Sequence, residues 1–457
     1  MSITNSVAKW IINTDPDSLP DIVVEKAKKS ILDTVGVAVA GANTDVGQTM
    51  LAYLETLGGN PQSRVWGTAI ATSVQQAALA NGTIGHVHDF DDTSHSYIGH
   101  PSISVLPAVV AAGEQVDASG AEVLLAFVIG TEMACKLGAM VTPKLYADGW
   151  HATSVIGAFG AAAGMARLLG LDEGRTAQAL SLVAAQTSGI KGNFGTDAKP
   201  YQVGRSAENG VAAALLAQRG LKGAADIFEK EFGFCHTLKL SCDSDSISAG
   251  LGNPFDIDRP GFYLKEFPSC SSTHPALNAV IKLINTHGID PLAVENIDCA
   301  STQLVVDSLS YRQPQDVNQA RFSLQFCLAR TLLNRGSLTL ADFCPESLGD
   351  PQTQALMEKI QLRLSGGLAE KGYAPADGPE AAIVKISMTD GQRHEKRLAF
   401  ADWRPEKMPS WEALAAKFRD CGSPAMAARR IDRTVEMIRH LEQVPAIREV
   451  TALTGTD

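Results

Sequence analysis

The chain has 457 residues, too many for one compact core, so two domains are expected. A hydrophobic share of 45% with a charged share of 19% is that of an ordinary globular enzyme. Against 50 Asp+Glu stand 39 Lys+Arg, a net charge of −11. With no basic run or aromatic-interleaved patch, this excludes a nucleic-acid partner, and an anionic substrate would need a local Lys, Arg and His cluster working against the overall field.

The opening MSITNSVAKWIINTDPD lacks the charged–apolar–small order of a signal peptide. The most apolar stretch, 154–170, is broken by Arg167 and too rich in Gly and Ala to read as a membrane span. A cytoplasmic protein without a membrane partner is expected. The eight cysteines show no C-x-x-C spacing, so reduced, buried thiols are expected.

In chain order, a helix opens at Pro20-Asp21, with Val24, Ala27, Ile31, Val35 and Ala38 at three- and four-residue steps, and closes at Gly41. Helical patterns continue through 48–57, 73–85, 104–114 and 120–137. After Trp150 a helix carries Gly157, Gly160 and Gly164, small residues that let another helix approach closely. Helices are expected at 176–186 and 207–219, joined by the loop GIKGNFGTDAKPYQVG. Beyond Pro254 strand-like segments appear at 261–267, 294–306, 359–364, 381–389 and 393–400, with Asp390-Gly391 as a hairpin turn and helices at 274–287 and 322–334. Helical texture returns at 411–419 and 426–444. The expected fold is mainly α: a large all-helical domain from residues 1–260 and 401–457, with a smaller α/β domain, 261–400, inserted.

The stretch HVHDFDDTSHSYIGHP packs four of the ten histidines and three acidic residues into sixteen positions between apolar helices. Such groups are costly to bury unless paired or used. His86, His88, Asp89, Asp91 and Asp92 are metal-ligand types, but Phe90 sits where H-x-H-x-D-H needs an aspartate, so no metal site is expected. The alternative treats His100 as a proton carrier beside a carboxylate such as Asp89, with Thr93 as a hydroxyl donor. His151 is expected at a helix N-terminus, where it could equally be a core or capping residue, with Tyr146 near the same pocket. Lys199 and Arg205, framing the helix start expected near Gly204, form a plausible carboxylate clamp. Lys265 and His274 bracket KEFPSCSSTH, where His274 begins a helix; Tyr311 lies in a later loop.

VVEKAKKSILDTVGVAVAGA, NGTIGHVHDFDDTSHSYIGHPS, GWHATSVIGAFGAAAGMARLLGL, NFGTDAKPYQVGRSAENG and KEFPSCSSTHPALNAV together resemble successive signatures of the MmgE/PrpD family, in family order and over nearly the whole chain. That family includes 2-methylcitrate dehydratase, cis-aconitate decarboxylase and iminodisuccinate epimerase. The resemblance implies a helical domain from both chain ends, a smaller α/β lid domain, a homodimer, no metal or organic cofactor, and an active site between the domains. It points to Asp89, Thr93, His100, His151, Lys199, His274 and Tyr311. FGTDAKP resembles the decarboxylase and epimerase branches more than the methylcitrate dehydratase branch, although Asp197-Ala198 replace the Met-Thr of those branches.

The chemistry expected is carbanion formation next to a carboxylate, with Lys199, Arg205 and His274 anchoring acid groups and His100 or His151, oriented by Asp89, moving the proton. The reading is a cofactor-independent lyase, dehydratase or decarboxylase, acting on a small di- or tricarboxylic acid. The alternatives are an epimerase of an iminodisuccinate-like dicarboxylate and a non-catalytic polycarboxylate-binding dimer.

Overall fold

The computed structural model describes residues 2–239, 250–366, 368 and 378–455. Helix accounts for 58% of the residues and strand for 9%, so the fold is mainly α. Two compact units divide the chain: the first is Met1–Val87, Asp91–Leu264 and Met408–Asp457, and the second is His88–Phe90 with Lys265–Lys407.

The first unit is built on six long helices: α1 (Asp21–Gly41), α2 (Val74–His86), α3 (Pro101–Val116), α4 (Gly120–Val141), α5 (Ala152–Leu168) and α6 (Ala198–Gln218). In α1 the buried Val23, Ala27, Ile31, Val35 and Ala38 form the inward stripe. Ser73 caps α2 and the Ser119/Glu122 capping box starts α4, each satisfying amides that a helix start leaves open. By length and composition α4, rather than 154–170, could cross a membrane, but 83% of its apolar window is buried inside the unit, as in a core helix.

The expected glycine stripe on α5 is used. A Cβ on Gly160 would stand 2.7 Å from the Gly130 carbonyl oxygen of α4, and one on Gly164 would stand 2.9 Å from that of Ala126. Only glycine allows backbones so close. A similar crossing corrects the expected start of α6, which begins at Ala198 rather than 207. Gly204, read from the sequence as a helix start, lies inside the helix where it meets α2, and a Cβ there would be 2.3 Å from the Leu79 carbonyl oxygen. Pro200 is tolerated because it falls in the first turn.

The segment 261–267 is not a strand. It is tied to Thr93 by one bridge, in which the Tyr263 amide donates to the Thr93 carbonyl (2.8 Å) and the Thr93 amide to the Tyr263 carbonyl (3.0 Å). Phe262 and Leu264 do alternate inward, but Pro260 and Pro268 flank the run and remove ladder donors.

Helix Trp411–Gly422 closes this unit from the far end of the sequence. Its Lys417 ammonium lies 2.6 Å from the Asp33 carboxylate of α1, both side chains buried, and the Trp411 indole donates to Glu25 (2.7 Å).

In the second unit, β1 (Val294–Ser301), β2 (Ile360–Leu364), β3 (Ala382–Met388) and β4 (Arg393–Leu398) form a sheet of order β2-β1-β3-β4. β1 pairs parallel with β2 and antiparallel with β3, and β3 pairs antiparallel with β4 through the turn at Asp390-Gly391, where Gly391 has φ +89°. The expected strand 294–306 stops at Ser301 because Thr302 caps a short helix, Gln303–Ser308. α7 (His274–His287) and α8 (Leu324–Leu333) cover the sheet through Leu277, Val280 and Phe326 against Ile297, Val384 and Ile386.

Cys135, Cys270, Cys299, Cys327, Cys344 and Cys421 are free thiols. Cys235 is disulfide-bonded, contrary to the expectation of reduced cysteines throughout. Cys242 lies outside the described residues.

Lys417→Met takes the ammonium away from a carboxylate that is fully out of water. It should cost about 3–5 kcal/mol in urea unfolding. Arg419→Ala, which breaks the exposed pair with Asp432, should cost less than about 1 kcal/mol.

Candidate active site

In the first unit four helix ends bring their polar residues together. His86 ends α2, His100 is the N-cap of α3, His151 is the N-cap of α5, and Lys199 lies in the first turn of α6. Pro101 follows His100 at a position where a missing N–H costs nothing, so the chain enters α3 with His100 extended (φ −113°) and its ring off the helix. The His100 amide donates to Thr153 Oγ1 (3.2 Å), which ties the start of α3 to that of α5. The His151 amide donates to the Gly189 carbonyl (3.0 Å).

Asp91 is the hub. Its carboxylate stands 2.9 Å from His86 Nδ1 and 3.0 Å from His100 Nδ1. The His86 and His100 rings are edge to face with centroids 4.5 Å apart, and His151 stacks 6.1 Å from His86. Phe194 abuts His151 at 5.0 Å, and the buried Lys199 ammonium lies 5.4 Å from the Phe194 centroid. The carboxylate nearest His100 Nδ1, at 3.0 Å, is thus that of Asp91, which sequence reading weighed only as a metal ligand.

The electrostatics follow from burial. His86 is pushed down to about 4, first by desolvation and then by Lys199 and His100, against the pull of Asp91. Burial alone would raise Asp91, but His86 and His100 outweigh it and hold the carboxyl well below its usual range. Asp92, next in sequence, is pushed up to about 8 by burial, reinforced by Asp33 and opposed by its hydrogen bonds from Ser102. Two adjacent aspartates are therefore held in opposite protonation states at neutral pH.

This arrangement defines tautomers. Asp91 can only accept, so an imidazole that bonds to it does so through an Nδ1–H. Among the described residues His86 Nε2 has no hydrogen-bond partner. His86, Asp91 and His100 are also ligand types that each offer one atom within 4.8 Å of the others.

The remaining expected residues of this unit divide. Thr93 is buried, and its hydroxyl has no hydrogen-bond partner among the described residues. Tyr146 is buried under the Lys191 ammonium, 3.8 Å from its ring centroid. Arg205 does not frame a helix start. It lies in the third turn of α6, partly exposed and paired with Glu208 on the same helix, because α6 begins at Ala198.

The second unit holds its own buried polar set. Lys265 donates to the Asp89 carbonyl (2.6 Å) and pairs with its carboxylate (3.1 Å). That grip holds Asp89 in the left-handed region (φ +48°), a costly conformation for a non-glycine residue. Arg321, which sequence reading missed, donates from Nη2 to His88 Nδ1 (2.9 Å). His274 opens α7 as expected, with Nδ1 and Nε2 each 3.3 Å from backbone atoms of its own loop, the Cys270 carbonyl and the Phe267 amide. Tyr311 is half-buried in the loop after Gln303–Ser308. For Asp91 the signal was its five-residue spacing from His86 across a helix end. For Arg321 only QARFS was visible, with nothing local to mark it as buried.

The family model of the MmgE/PrpD N-terminal domain matches residues 5–243 and that of the MmgE/PrpD C-terminal domain matches 267–443. Cis-aconitate decarboxylase of Homo sapiens is 28% identical over 99% of this chain and 94% of its own length. The enzymes of that name from Mus musculus and Aspergillus terreus are 27% and 25% identical, each over 99% of this chain and 93% and 95% of their own lengths. A mainly α protein with this site and these relatives is a lyase of the decarboxylase and dehydratase kind. The chain belongs to the MmgE/PrpD family.

The raised Asp92 is testable by stability. The native fold keeps a proton there that the unfolded chain releases above 3.8, so its contribution is complete below 3.8 and drains away as pH rises to about 8. Asp92→Asn should therefore gain on the native protein across that window and run parallel to it above. A thermal-midpoint difference that stays constant from pH 4 to 8 would refute the assignment.

Proposed function

We propose that this chain decarboxylates or dehydrates a small di- or tricarboxylic acid by carbanion chemistry carried by its own side chains. The carrying observation is Asp91 within 3.0 Å of the Nδ1 atoms of two imidazoles, beside buried Lys199. The relatives' named activity makes cis-aconitate the first acid to assay.

In decarboxylation the bond between carbon and a carboxylate breaks, CO2 leaves, and the electron pair stays on carbon. The developing negative charge needs donors fixed in advance. Lys199, with the N-terminal ends of α3 and α5 as local positive potential, supplies them. His100, its Nδ1 set against Asp91, first takes up a proton on Nε2 from solvent to become the imidazolium and then delivers that proton to the new carbanion. In dehydration the same nitrogen would first remove a proton next to a carboxylate and hydroxide would leave as water. Thr93 contributes a hydroxyl donor, and Tyr146 with Lys191 shapes the approach to His151.

His100→Ala should lower kcat by about 10²–10⁴ while changing the binding of an unreactive tricarboxylate little. Asp91→Asn should lower kcat by a similar factor, since an amide can donate to the imidazole and select the wrong tautomer. The check is CO2 release and enoate absorbance with cis-aconitate, citrate and methylcitrate, and optical rotation with chiral iminodisuccinate. Racemisation without CO2 or enoate would make the protein an epimerase. Acid binding with no turnover on any of them would make it a binding protein.

A further inference from the structure

Helices α2 and α4 are each capped by the side chain of their own N-cap residue, Ser73 and Ser119. At α3 that position is His100, whose ring makes no cap bond and stands instead 3.0 Å from the Asp91 carboxylate. Pro101 has no N–H, so the first amide that α3 leaves open is that of Ser102. Ser102 is fully buried, and an orphan amide out of water is costly. The acceptor comes from ten residues upstream. Asp92, fully buried as well, takes the Ser102 amide on Oδ1 (3.2 Å) and the Ser102 hydroxyl on Oδ2.

This borrowed cap closes a ring through the site. Asp92 follows Asp91 in the chain, and Ser102 stands two residues after His100. The two bonds between Asp92 and Ser102 therefore pin the backbones that carry the facing carboxylate and imidazole. Nearer the loop tip the Ser94 amide donates to the Gly99 carbonyl (2.8 Å) and the Gly99 amide to the Ser94 carbonyl (3.3 Å). His100 thus lies between two cross-links of one closed loop, with Asp91 at its foot. All of these residues belong to the first unit. Burial pushes Asp92 up to about 8, so at neutral pH the cap sets no second negative charge beside Asp91.

We propose that Asp92 is a positioning residue of this site: it caps α3 in place of His100 and thereby holds the Asp91 carboxylate against His100 Nδ1. Asp92 acts through His100 and is not itself a catalytic residue. Its effect on turnover rests on the function proposed above; its hold on the His100 ring does not.

The experiment uses the full chain, with two readouts: steady-state turnover of cis-aconitate, and nitrogen-15 spectra of the histidine rings, in which His100→Ala identifies the His100 signals. Asp92→Ala should lower kcat roughly ten- to hundredfold, the cost of a small misplacement of a reacting group, with KM changed by less than about threefold. The His100 ring signals should move, while those of His236 and His440, exposed histidines of the same unit, stay in place. Asp92→Asn keeps a neutral acceptor oxygen and should regain most of the lost turnover together with the native His100 signals. The proposal is overturned if Asp92→Ala leaves the His100 signals unmoved, or if Asp92→Asn restores neither readout. Should Asp92→Ala not fold, Ser102→Ala decides: it keeps the amide bond, loses the hydroxyl bond, and should still shift the His100 signals. Unmoved signals in that variant overturn the proposal. A protein that turns over none of the acids, yet whose His100 signals follow Asp92, would keep the positioning and lose the lyase reading. Turnover indifferent to Asp92 would do the reverse.

Discussion

One carboxylate set within 3.0 Å of two imidazoles governs the first unit. Asp91 is out of water, and it stays ionised only because His86 and His100 stand against it. The demand runs both ways. A ring that bonds to it must turn an Nδ1–H inward, which sets that ring's tautomer and orientation. The helix ends then have little freedom: α2 must stop where His86 can reach Asp91, and α3 must start where His100 can. The close helix crossings at Gly204 and Gly160 serve the same geometry, because bulkier residues there would push apart the helices that carry Lys199 and His151.

Much of this was legible from residue order. The stripe on α1, the glycines of α5, the hairpin at Asp390-Gly391 and the crowding of histidines at 86–100 all carry local signatures that tertiary structure left in force. What failed did so for identifiable reasons. Gly204 looked like a helix boundary because local propensity penalises glycine, whereas the gain from a close crossing is invisible in one segment. The run 261–267 had the right alternation but prolines on both sides and no partner strand. Asp91 was passed over in favour of Asp89 because adjacent acids are indistinguishable until the backbone turns, and at Asp89 it turns through a left-handed residue that no pattern announces.

The second unit shows the same economy with the opposite sign. Asp89 and Lys265 neutralise each other, and the lysine doubles as the clasp that holds the Asp89 backbone in its unfavourable conformation. Arg321 donates to His88 Nδ1, so that nitrogen of the ring must accept. Three consecutive residues, His88–Phe90, pack with this unit while their neighbours Val87 and Asp91 pack with the other. The functional alphabet of HVHDFDD is therefore split: the first histidine and the second aspartate work in one unit, the second histidine and the first aspartate in the other.

The pairing of Asp33 with Lys417 carries a consequence for biosynthesis. A ribosome emits α1 early and Met408–Asp457 only after every strand of the sheet has been made. Until then the growing polypeptide holds Asp33 without Lys417, so this buried pair of the helical unit can form only once the last segment has been made. The inserted unit, contiguous from Lys265 to Lys407 apart from three residues made long before, is under no such delay. Maturation thus runs against the order of translation: the part begun first is completed last.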